Sequence, residues 1–277
     1  MIAARLESRW LAAGGLTLHL RCTPLDRLAG AAGRPPRAAL PLVMIHGLGV
    51  SARTLVPLAR RLALHRGVLV PDLPGFGRSP APRGGALGIA ELAAAVAAAM
   101  TAAGCERAAV LGHSLGGQVA VELADRFAER VDRLVLVAPT VDRAARTACG
   151  QIARLLEDSW REPLALLPLA VWDYLCGPFR AMATLRFALA DRIEVKLPRI
   201  AVPALVVRGG RDPLVSARWA AEVARLLPAG ELATVPRAAH AVPYGAPDEL
   251  ARRVEDFLES RQRASLDSAP LHPGCGA

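Results

Sequence analysis

The chain has 277 residues, of which 53% are hydrophobic and 21% are charged. This composition excludes disorder over most of the length and is sufficient for one large domain with its own core. Basic residues exceed acidic ones by 34 to 25, a net charge of +9, but no long run of like charges occurs. Aromatic residues make up only 4% of the chain, so we expect no nucleic-acid partner.

Neither cysteine spacing nor hydropathy indicates a metal site or a membrane span. The five cysteines, at positions 22, 105, 149, 176 and 275, form no C-x-x-C pair, and no Cys or His pair has the spacing of metal ligands. We therefore expect free thiols, no metal, no cofactor and a cytoplasmic protein. The N-terminus lacks the order of a signal peptide, and no uncharged apolar stretch reaches ~20 residues, so no transmembrane helix is predicted.

Short apolar runs alternate with helical patterns along the chain, which is typical of a parallel α/β sheet. The first predicted element is a hairpin over residues 9–22 that turns at Gly14-Gly15, followed by a long surface loop over residues 24–39. Strands are then predicted at Leu42–Ile45, Val68–Val70, Ala108–Leu111, Leu134–Val137, Leu205–Val207 and Leu232–Val235. Helices with an apolar face are predicted at 89–103, 115–129 and 216–227 and from Pro247 onwards.

Residues 140–198 interrupt this alternation. They have a helical pattern, contain no clear strand and are broken by prolines, so we predict a helical insertion between two strands. The predicted organisation is a core domain formed by residues 1–139 and 199–263, the inserted segment 140–198, and a disordered tail over residues 264–277.

A G-x-S-x-G pattern at residues 112–116 directly follows the strand Ala108–Leu111 and precedes an amphipathic helix. A tight strand-to-helix turn lifts the hydroxyl of Ser114 above the sheet, and the helix N-terminus places a positive dipole end beside it. The glycines allow the strand and helix backbones to pass close together. A glycine-rich turn with an incidental serine is the alternative. We interpret Ser114 as the candidate nucleophile.

A serine hydroxyl needs a base, and the base needs a carboxylate that orients it. His240 is the candidate base, because it follows the strand Leu232–Val235 at the carboxyl end of the sheet, where open α/β sheets bind ligands. Asp212 follows the preceding strand and is the candidate acid, with Asp142 as the alternative. Asp72 comes too early in the chain for this order and is interpreted as structural.

The loop His46-Gly47-Leu48-Gly49 follows the strand Leu42–Ile45 and is a candidate oxyanion hole. Glycines in the loop allow it to turn its N–H groups toward the serine. We expect the backbone N–H groups of Leu48 and Leu115 to bind the oxyanion, each being worth roughly 10²–10³ in rate. An ordinary glycine loop is the alternative.

Five motifs, in this order and spacing, resemble the α/β-hydrolase fold family: H-G-L-G at 46–49, D-L-P-G-F-G-R-S at 72–79, G-H-S-L-G-G at 112–117, G-G-R-D-P-L at 209–214 and A-H-A-V at 239–242. The resemblance covers about residues 9–262. It implies an eight-stranded, mostly parallel sheet flanked by helices, with a helical cap inserted after the sixth strand. The chain departs from the pattern at Ala239, where many members have glycine, and in its longer loop at 24–39.

Serine stands where dehalogenases and epoxide hydrolases of this fold have aspartate, and it implies acyl transfer through an acyl-enzyme. We therefore predict a serine hydrolase acting on a small carboxylic ester with an apolar acyl group. The alternatives are a hydrolase of C–C bonds in ring-cleavage products, a carrier or CoA thioesterase, and a catalytically silent binding protein of the same fold. Nothing in the sequence predicts the oligomeric state.

Two features of the predicted cap bear on the substrate. The apolar, proline-broken segment 163–172 is expected either to line an acyl pocket or to pack into the core. Four arginines would share one face of a continuous helix and dock an acidic carrier protein or a phosphorylated substrate arm: Arg143, Arg146, Arg154 and Arg161. A solvated face is the simpler interpretation, because basic and acidic residues nearly balance within the segment.

Overall fold

A computed structural model describes residues 4–28 and 40–267, with the backbone alone for residues 260–267. Eight strands form one sheet: β1 (Glu7–Ala13), β2 (Leu16–Cys22), β3 (Leu42–Ile45), β4 (Val68–Pro71), β5 (Ala108–His113), β6 (Val131–Val137), β7 (Ala204–Gly209) and β8 (Gly230–Val235). Their order is β1-β2-β4-β3-β5-β6-β7-β8. β1 and β2 form an antiparallel hairpin, β2 pairs antiparallel with β4, and every other pairing is parallel. The predicted eight-stranded, mostly parallel sheet is confirmed.

Helices pack on both faces of this sheet, and three further helices belong to the segment 140–198. Their bounds are α1 (Val56–Leu62), α2 (Ile89–Ala102), α3 (Leu115–Arg126), α4 (Ala148–Ser159), α5 (Leu167–Leu175), α6 (Pro178–Ala190), α7 (Ala217–Leu226), α8 (Val242–Gly245) and α9 (Pro247–Asp267). The sequence analysis missed α1, because seven residues contain too few turns to show a clear period. The predicted loop at 24–39 lies largely outside the described residues, which end at Leu28 and resume at Leu40.

Two hydrophobic layers bury the sheet, one on each face. Along β3, Val43 and Ile45 belong to the layer that contains α2, α3 and α7, whereas Leu42 and Met44 belong to the layer with α1 and α9. Successive strand residues point to opposite faces, so a strand covered on both sides must be apolar throughout. This requirement explains why the central strands read as continuous apolar runs in the sequence.

The helical insertion, residues 140–198, lies between β6 and β7 and contains α4, α5 and α6 but no strand. Polar contacts tie it to the rest of the chain at several points. Asp173 on α5 accepts hydrogen bonds from Ser51 and Arg53, each at 2.7 Å. On α6, Arg180 Nε donates to the carbonyl oxygen of Gly75 at 2.9 Å. The segment 140–198 is therefore helical, as predicted. That it forms a separate cap domain stays a prediction.

The four arginines of the insertion do not lie on one continuous helix. Arg143 belongs to a short 3₁₀ turn, and α4 begins only at Ala148. Each guanidinium pairs with a carboxylate of the same chain: Arg143 with Glu222, Arg146 with Glu194, Arg154 with Asp142 and Arg161 with Glu157. The prediction of one continuous helix with a single arginine face is therefore wrong, and the face considered for an acidic partner does not form; each of the four arginines has an ion-pair partner within the chain instead.

The C-terminal helix is longer than the sequence indicated. It continues to Asp267, so the tail predicted at 264–277 begins inside it, and residues 268–277 lie outside those described. Leu250, Val254, Phe257 and Leu258 form its buried face. Within the described ranges, no helix is both long and apolar enough to cross a membrane.

β5 continues into α3 through a turn of one residue, and this turn packs directly against β3. A Cβ atom at Gly116, in the first turn of α3, would lie 2.2 Å from the carbonyl oxygen of Ile45. A contact this short cannot be accommodated without moving one of the two backbones. Glycine at this position therefore sets how closely the helix approaches the sheet.

Gly116→Ala is expected to lower the free energy of unfolding by about 1–3 kcal/mol, because the new methyl group overpacks the contact with β3. Denaturant unfolding followed by circular dichroism measures this loss. Gly84→Ala is the matched control, since nothing lies within 4 Å of a Cβ there. Equal stability of the two variants would contradict the close approach.

Candidate active site

Ser114 occupies the turn between β5 and α3 in an unfavourable backbone conformation that the neighbouring backbone holds in place. Its φ is 55° and its ψ is −122°, in the region that disfavours residues with a side chain. The Ser114 N–H donates to the carbonyl oxygen of Val137 at 3.0 Å, and its carbonyl oxygen accepts from Gly117 at 2.8 Å. These bonds hold the turn so that the side chain projects into a cavity beyond the sheet.

The structure brings Ser114, His240 and Asp212 together in one chain of hydrogen bonds. Ser114 Oγ lies 2.9 Å from His240 Nε2, and His240 Nδ1 lies 2.9 Å from Asp212 Oδ2. The second Asp212 oxygen accepts from the N–H groups of Leu214 and Val215 at 2.8 and 3.1 Å. With both oxygens engaged, the carboxylate has one orientation, and it fixes the imidazole in turn.

Asp142, the alternative acid, contacts other groups. One of its oxygens accepts from the N–H of Ala144 at 2.9 Å, and the other accepts from Arg154 at 3.1 Å. It thus caps the 3₁₀ turn and anchors α4, and makes no hydrogen bond to His240. Burial opposes ionisation of Asp142, but hydrogen bonds from the Ala144 N–H, Ser216 and Arg154 outweigh burial and hold the pKa of Asp142 below its usual range.

Two carboxylates of the helical insertion, which the sequence analysis missed, hold the loop that carries His240. Asp158 accepts from the His240 N–H at 3.1 Å, and Glu162 accepts from the Ala241 N–H at 2.6 Å. Asp158 lies in the last turn of α4, and Glu162 lies three residues beyond the end of this helix. Nothing in the sequence shows that this segment meets a loop about 80 residues further along the chain.

His113, immediately before the candidate nucleophile, also supports this loop. Its Nε2–H donates to the carbonyl oxygen of His240 at 3.0 Å, and the two rings lie 5.1 Å apart. Burial and the neighbouring His240 lower the pKa of His113 to about 3, so its ring is neutral. Its Nδ1 is buried without a hydrogen-bond partner among the described residues.

Acidic neighbours make His240 an unusually strong base. Burial alone lowers the pKa of His240, but the charge and hydrogen bond of Asp212, together with Asp158 and Glu162, outweigh burial and raise it to about 9. Burial and the charge of Asp158 raise the pKa of Glu162 to about 7. Burial also opposes ionisation of Asp212, yet His240 and two backbone N–H groups keep its pKa below the usual value.

The backbone of the Gly47–Leu48 loop lies directly beside the serine. A Cβ atom at Gly47 would stand 3.2 Å from the Cβ of Ser114. Among the backbone hydrogen bonds of the described residues, none uses the N–H of Leu48 or of Leu115. The hydroxyl of Tyr174 on α5 donates to the Leu48 carbonyl oxygen at 3.3 Å, so the insertion also braces this loop.

Ser114 and His240 open into a cavity of about 620 Å³ that the core and the helical insertion line together. Apolar side chains from α4, α5 and α6 dominate its wall. From the predicted segment 163–172, four residues reach it: Leu166, Leu167, Ala170 and Val171. Its titratable groups are histidines, tyrosine and acids, and no Arg or Lys lines it among the described residues.

His46 and Asp72 stand apart from this hydrogen-bonded chain. Asp72 is buried and accepts from His19 Nδ1 and from the Ala52 N–H, both at 2.7 Å. His46 Nε2 accepts from the Leu73 N–H at 2.9 Å. Both side chains join the loops that follow β3 and β4. No cluster of His, Cys, Asp and Glu in the described part of the chain is arranged to hold a metal ion.

The imidazole of His240 is expected to titrate with a pKa near 9, and Glu162→Gln is expected to lower this pKa. At that pH Glu162 is ionised, so its removal withdraws a negative charge that favours the imidazolium. NMR titration of the histidine ring measures both values. Glu157→Gln is the control, since Glu157 is exposed and pairs with Arg161 instead. A wild-type pKa at or below 6.5, or equal shifts in the two variants, would contradict this electrostatic account.

Comparison with known proteins identifies the family. Residues 42–253 match the Alpha/beta hydrolase family. A pimeloyl-[acyl-carrier protein] methyl ester esterase of Pectobacterium carotovorum is 31% identical over 258 residues, covering 79% of this chain and 94% of the relative. The magnesium-chelatase 30 kDa subunit of Rhodobacter capsulatus is 28% identical over 249 residues, covering 79% of this chain and 86% of the relative.

Solved structures agree with the fold. The meta-cleavage product hydrolase of Pseudomonas fluorescens IP01 superposes with a TM-score of 0.70 over 91% of this chain and 98% of that chain, at 22% sequence identity. Its likeness shows the architecture alone. The family match over most of the chain, supported by hydrolase-named relatives, carries the assignment. The chain belongs to the alpha/beta hydrolase family and is a hydrolase.

Proposed function

We propose that the enzyme is a serine hydrolase that forms an acyl-enzyme at Ser114 and acts on carboxylic esters with an apolar acyl group. The observation that carries the proposal is the continuous hydrogen-bonded chain from Ser114 through His240 to Asp212 at the wall of an apolar cavity. The name of the Pectobacterium relative, a methyl ester esterase, supports the ester class. We also propose that the enzyme is cytoplasmic.

In the proposed reaction, the neutral form of His240, which is the minor form below pH 9, takes the proton from the Ser114 hydroxyl as its oxygen attacks the ester carbonyl carbon. Asp212 accepts the Nδ1–H of the imidazole, which keeps Nε2 free for that proton. The tetrahedral intermediate then expels the alcohol, which receives the proton from His240. His240 then deprotonates a water molecule that attacks the acyl-enzyme carbonyl carbon. The second tetrahedral intermediate releases the carboxylic acid as Ser114 Oγ takes the proton from His240, which restores the free enzyme.

The backbone N–H groups of Leu48 and Leu115 are proposed to bind the oxyanion of both tetrahedral intermediates. Leu115 is the first residue of α3, so its N–H also lies at the positive end of the helix dipole. The Leu48 N–H belongs to the loop that lies against Ser114 and that Tyr174 braces. Two donors fixed before the reaction need no reorganisation as the charge develops.

The wall of the cavity favours neutral acyl chains over anionic ones. Asp158 and Glu162 supply its negative charge, and no cationic side chain lines it among the described residues. A carboxylate at the far end of the acyl group would therefore be buried without a counter-ion, which is costly. The absence of a cationic side chain in this wall supports the proposal of ester hydrolysis over C–C hydrolysis of acidic ring-cleavage products. Thioesters of neutral acyl groups remain a second candidate class, because the same residues perform that reaction.

Ser114→Ala and His240→Ala are each expected to lower kcat for a short-chain ester by ~10³-fold or more, because no other group replaces the nucleophile or the base. Asp212→Asn is expected to cost ~10²–10⁴-fold through loss of the imidazole's orientation. Steady-state kinetics with p-nitrophenyl butyrate measure all three, and circular dichroism verifies folding.

Asp142→Asn is the matched control, since this carboxylate is also buried and follows a neighbouring strand but contacts Arg154. Its kcat is expected to stay within a few-fold of wild type. Near-wild-type turnover by folded Ser114→Ala or His240→Ala would refute the mechanism. A larger loss from Asp142→Asn than from Asp212→Asn would move the orienting acid to Asp142.

Methyl octanoate and monomethyl octanedioate form a matched substrate pair that differs only in a terminal carboxylate. We expect kcat/KM for the octanoate to be higher by ~10²-fold or more, because the cavity offers that carboxylate no counter-ion. Titration of the acid released from each ester at the same pH measures the ratio. Equal rates, or preference for the dioate, would contradict an acyl site formed by this cavity.

A further inference from the structure

Large exposed hydrophobic side chains are concentrated in the helical insertion. Of the fifteen that are exposed in the described residues, eleven lie between Ile152 and Phe187. Trp160, Phe179 and Leu164 have exposed fractions of 91%, 90% and 81%. Single exposed apolar residues are normal on a protein surface, whereas a concentration of this kind marks a binding surface.

The eleven residues are here called the apolar face. Six of them also line the active-site cavity, so they lie where the cavity opens to solvent: Ile152, Leu155, Leu156, Val171, Leu175 and Met182. The other five lie on α5 and α6 or between α4 and α5: Trp160, Leu164, Trp172, Phe179 and Phe187. Exposed apolar side chains of the insertion therefore extend to the wall of the cavity that holds Ser114.

The parts of the chain whose side chains are not described contain few large hydrophobic residues. Residues 29–39 consist of Ala, Gly, Pro and Arg, whereas residues 1–3 contain Met1 and Ile2 and residues 260–277 contain Leu266 and Leu271. Covering eleven large side chains requires a comparable apolar surface, which four such residues do not offer, so the proposed occupant is a separate molecule.

Charge and residue type point to a lipid surface as this occupant. Tryptophan side chains favour the boundary between apolar and aqueous phases, and Trp160 and Trp172 both belong to the apolar face. Over residues 148–190 the exposed charged side chains are Arg161, Arg186 and a single acid, Glu157. The whole chain carries a net charge of +9, which attracts it to an anionic surface.

We propose that the apolar face docks on the surface of an anionic lipid bilayer and presents the cavity entrance to the lipid phase. An apolar ester dissolved in the bilayer would then reach Ser114 without crossing water. This inference rests on the proposed function for its substrate, but the docking itself depends only on the apolar face. The interaction is interfacial: α4, α5 and α6 have nine to thirteen residues each and would lie along the surface.

Flotation of the full-length protein with vesicles tests the proposal. We expect binding to vesicles of phosphatidylcholine with phosphatidylglycerol, and weaker binding to phosphatidylcholine alone. The double variant Trp160→Ser/Phe179→Ser is expected to bind about tenfold more weakly or worse, because two aromatic side chains lose their place in the interface. Leu64→Ser/Leu232→Ser is the matched control, since both leucines are about half exposed but lie outside the insertion.

Three results would overturn the proposal. The first is that the wild-type protein binds neither kind of vesicle. The second is that Trp160→Ser/Phe179→Ser binds vesicles as tightly as the wild type. The third is that the wild type sediments as a dimer and that Trp160→Ser/Phe179→Ser, but not the control variant, is a monomer. The last result would mean that a second copy of the chain covers the face.

Turnover of soluble p-nitrophenyl butyrate is expected to be unchanged in both double variants, because none of the four residues lines the cavity. A wild-type protein that binds vesicles but does not hydrolyse p-nitrophenyl butyrate would contradict the proposed function and leave the docking proposal intact.

Discussion

The hydrogen bond between Ser114 Oγ and His240 Nε2 joins side chains that are 126 residues apart in the sequence. Neither residue can reach the other unless β5 and β8 end at the same edge of the sheet. Parallel strands in the order β5-β6-β7-β8 provide that common edge. Gly116 then brings α3 close to β3, and the positive φ of Ser114 turns its hydroxyl out of the sheet. The site is thus a consequence of strand order and of backbone close packing.

The helical insertion contributes to the electrostatics of the site as well as to its walls. Asp158 and Glu162 bind the two consecutive N–H groups that begin at His240, while Tyr174 braces the Leu48 loop. The loop with the base and the loop with the proposed oxyanion donor are therefore both held from the insertion. Asp212 contributes most to raising the pKa of His240 to about 9, and the two acids of the insertion add to this effect. Any displacement of the insertion would change both the position and the basicity of the imidazole.

Much of this arrangement follows from the sequence by simple rules. Central strands covered on both faces must be apolar, which made β3, β5, β6 and β7 visible as short apolar runs. The glycines around Ser114 indicated a close turn, and the position of His240 and Asp212 after successive strands indicated a shared edge. These signals indicated a parallel α/β sheet, and the resemblance of five motifs to the α/β-hydrolase family implied the full eight-stranded fold. The identity of the catalytic residues stays a proposal that rests on their geometry.

The remainder could not be predicted because it depends on contacts between distant segments. α1 is too short to show a period, and the arginine face failed because a 3₁₀ turn at Arg143 breaks the helix that the pattern assumed. The sequence analysis did not identify Asp158 or Glu162. Their role beside His240 depends on how the end of α4 and the residues that follow it pack against the loop after β8, and no local pattern encodes that contact.

Labelling with a fluorophosphonate tests the central claim most directly, because the reagent bonds to a serine oxygen only where a base removes its proton and an oxyanion site receives the developing charge. Mass spectrometry of the digested protein locates the modified residue. The account predicts one label, on Ser114, that is absent from folded His240→Ala. Failure of the folded wild-type protein to react, or a label on another serine, would contradict it.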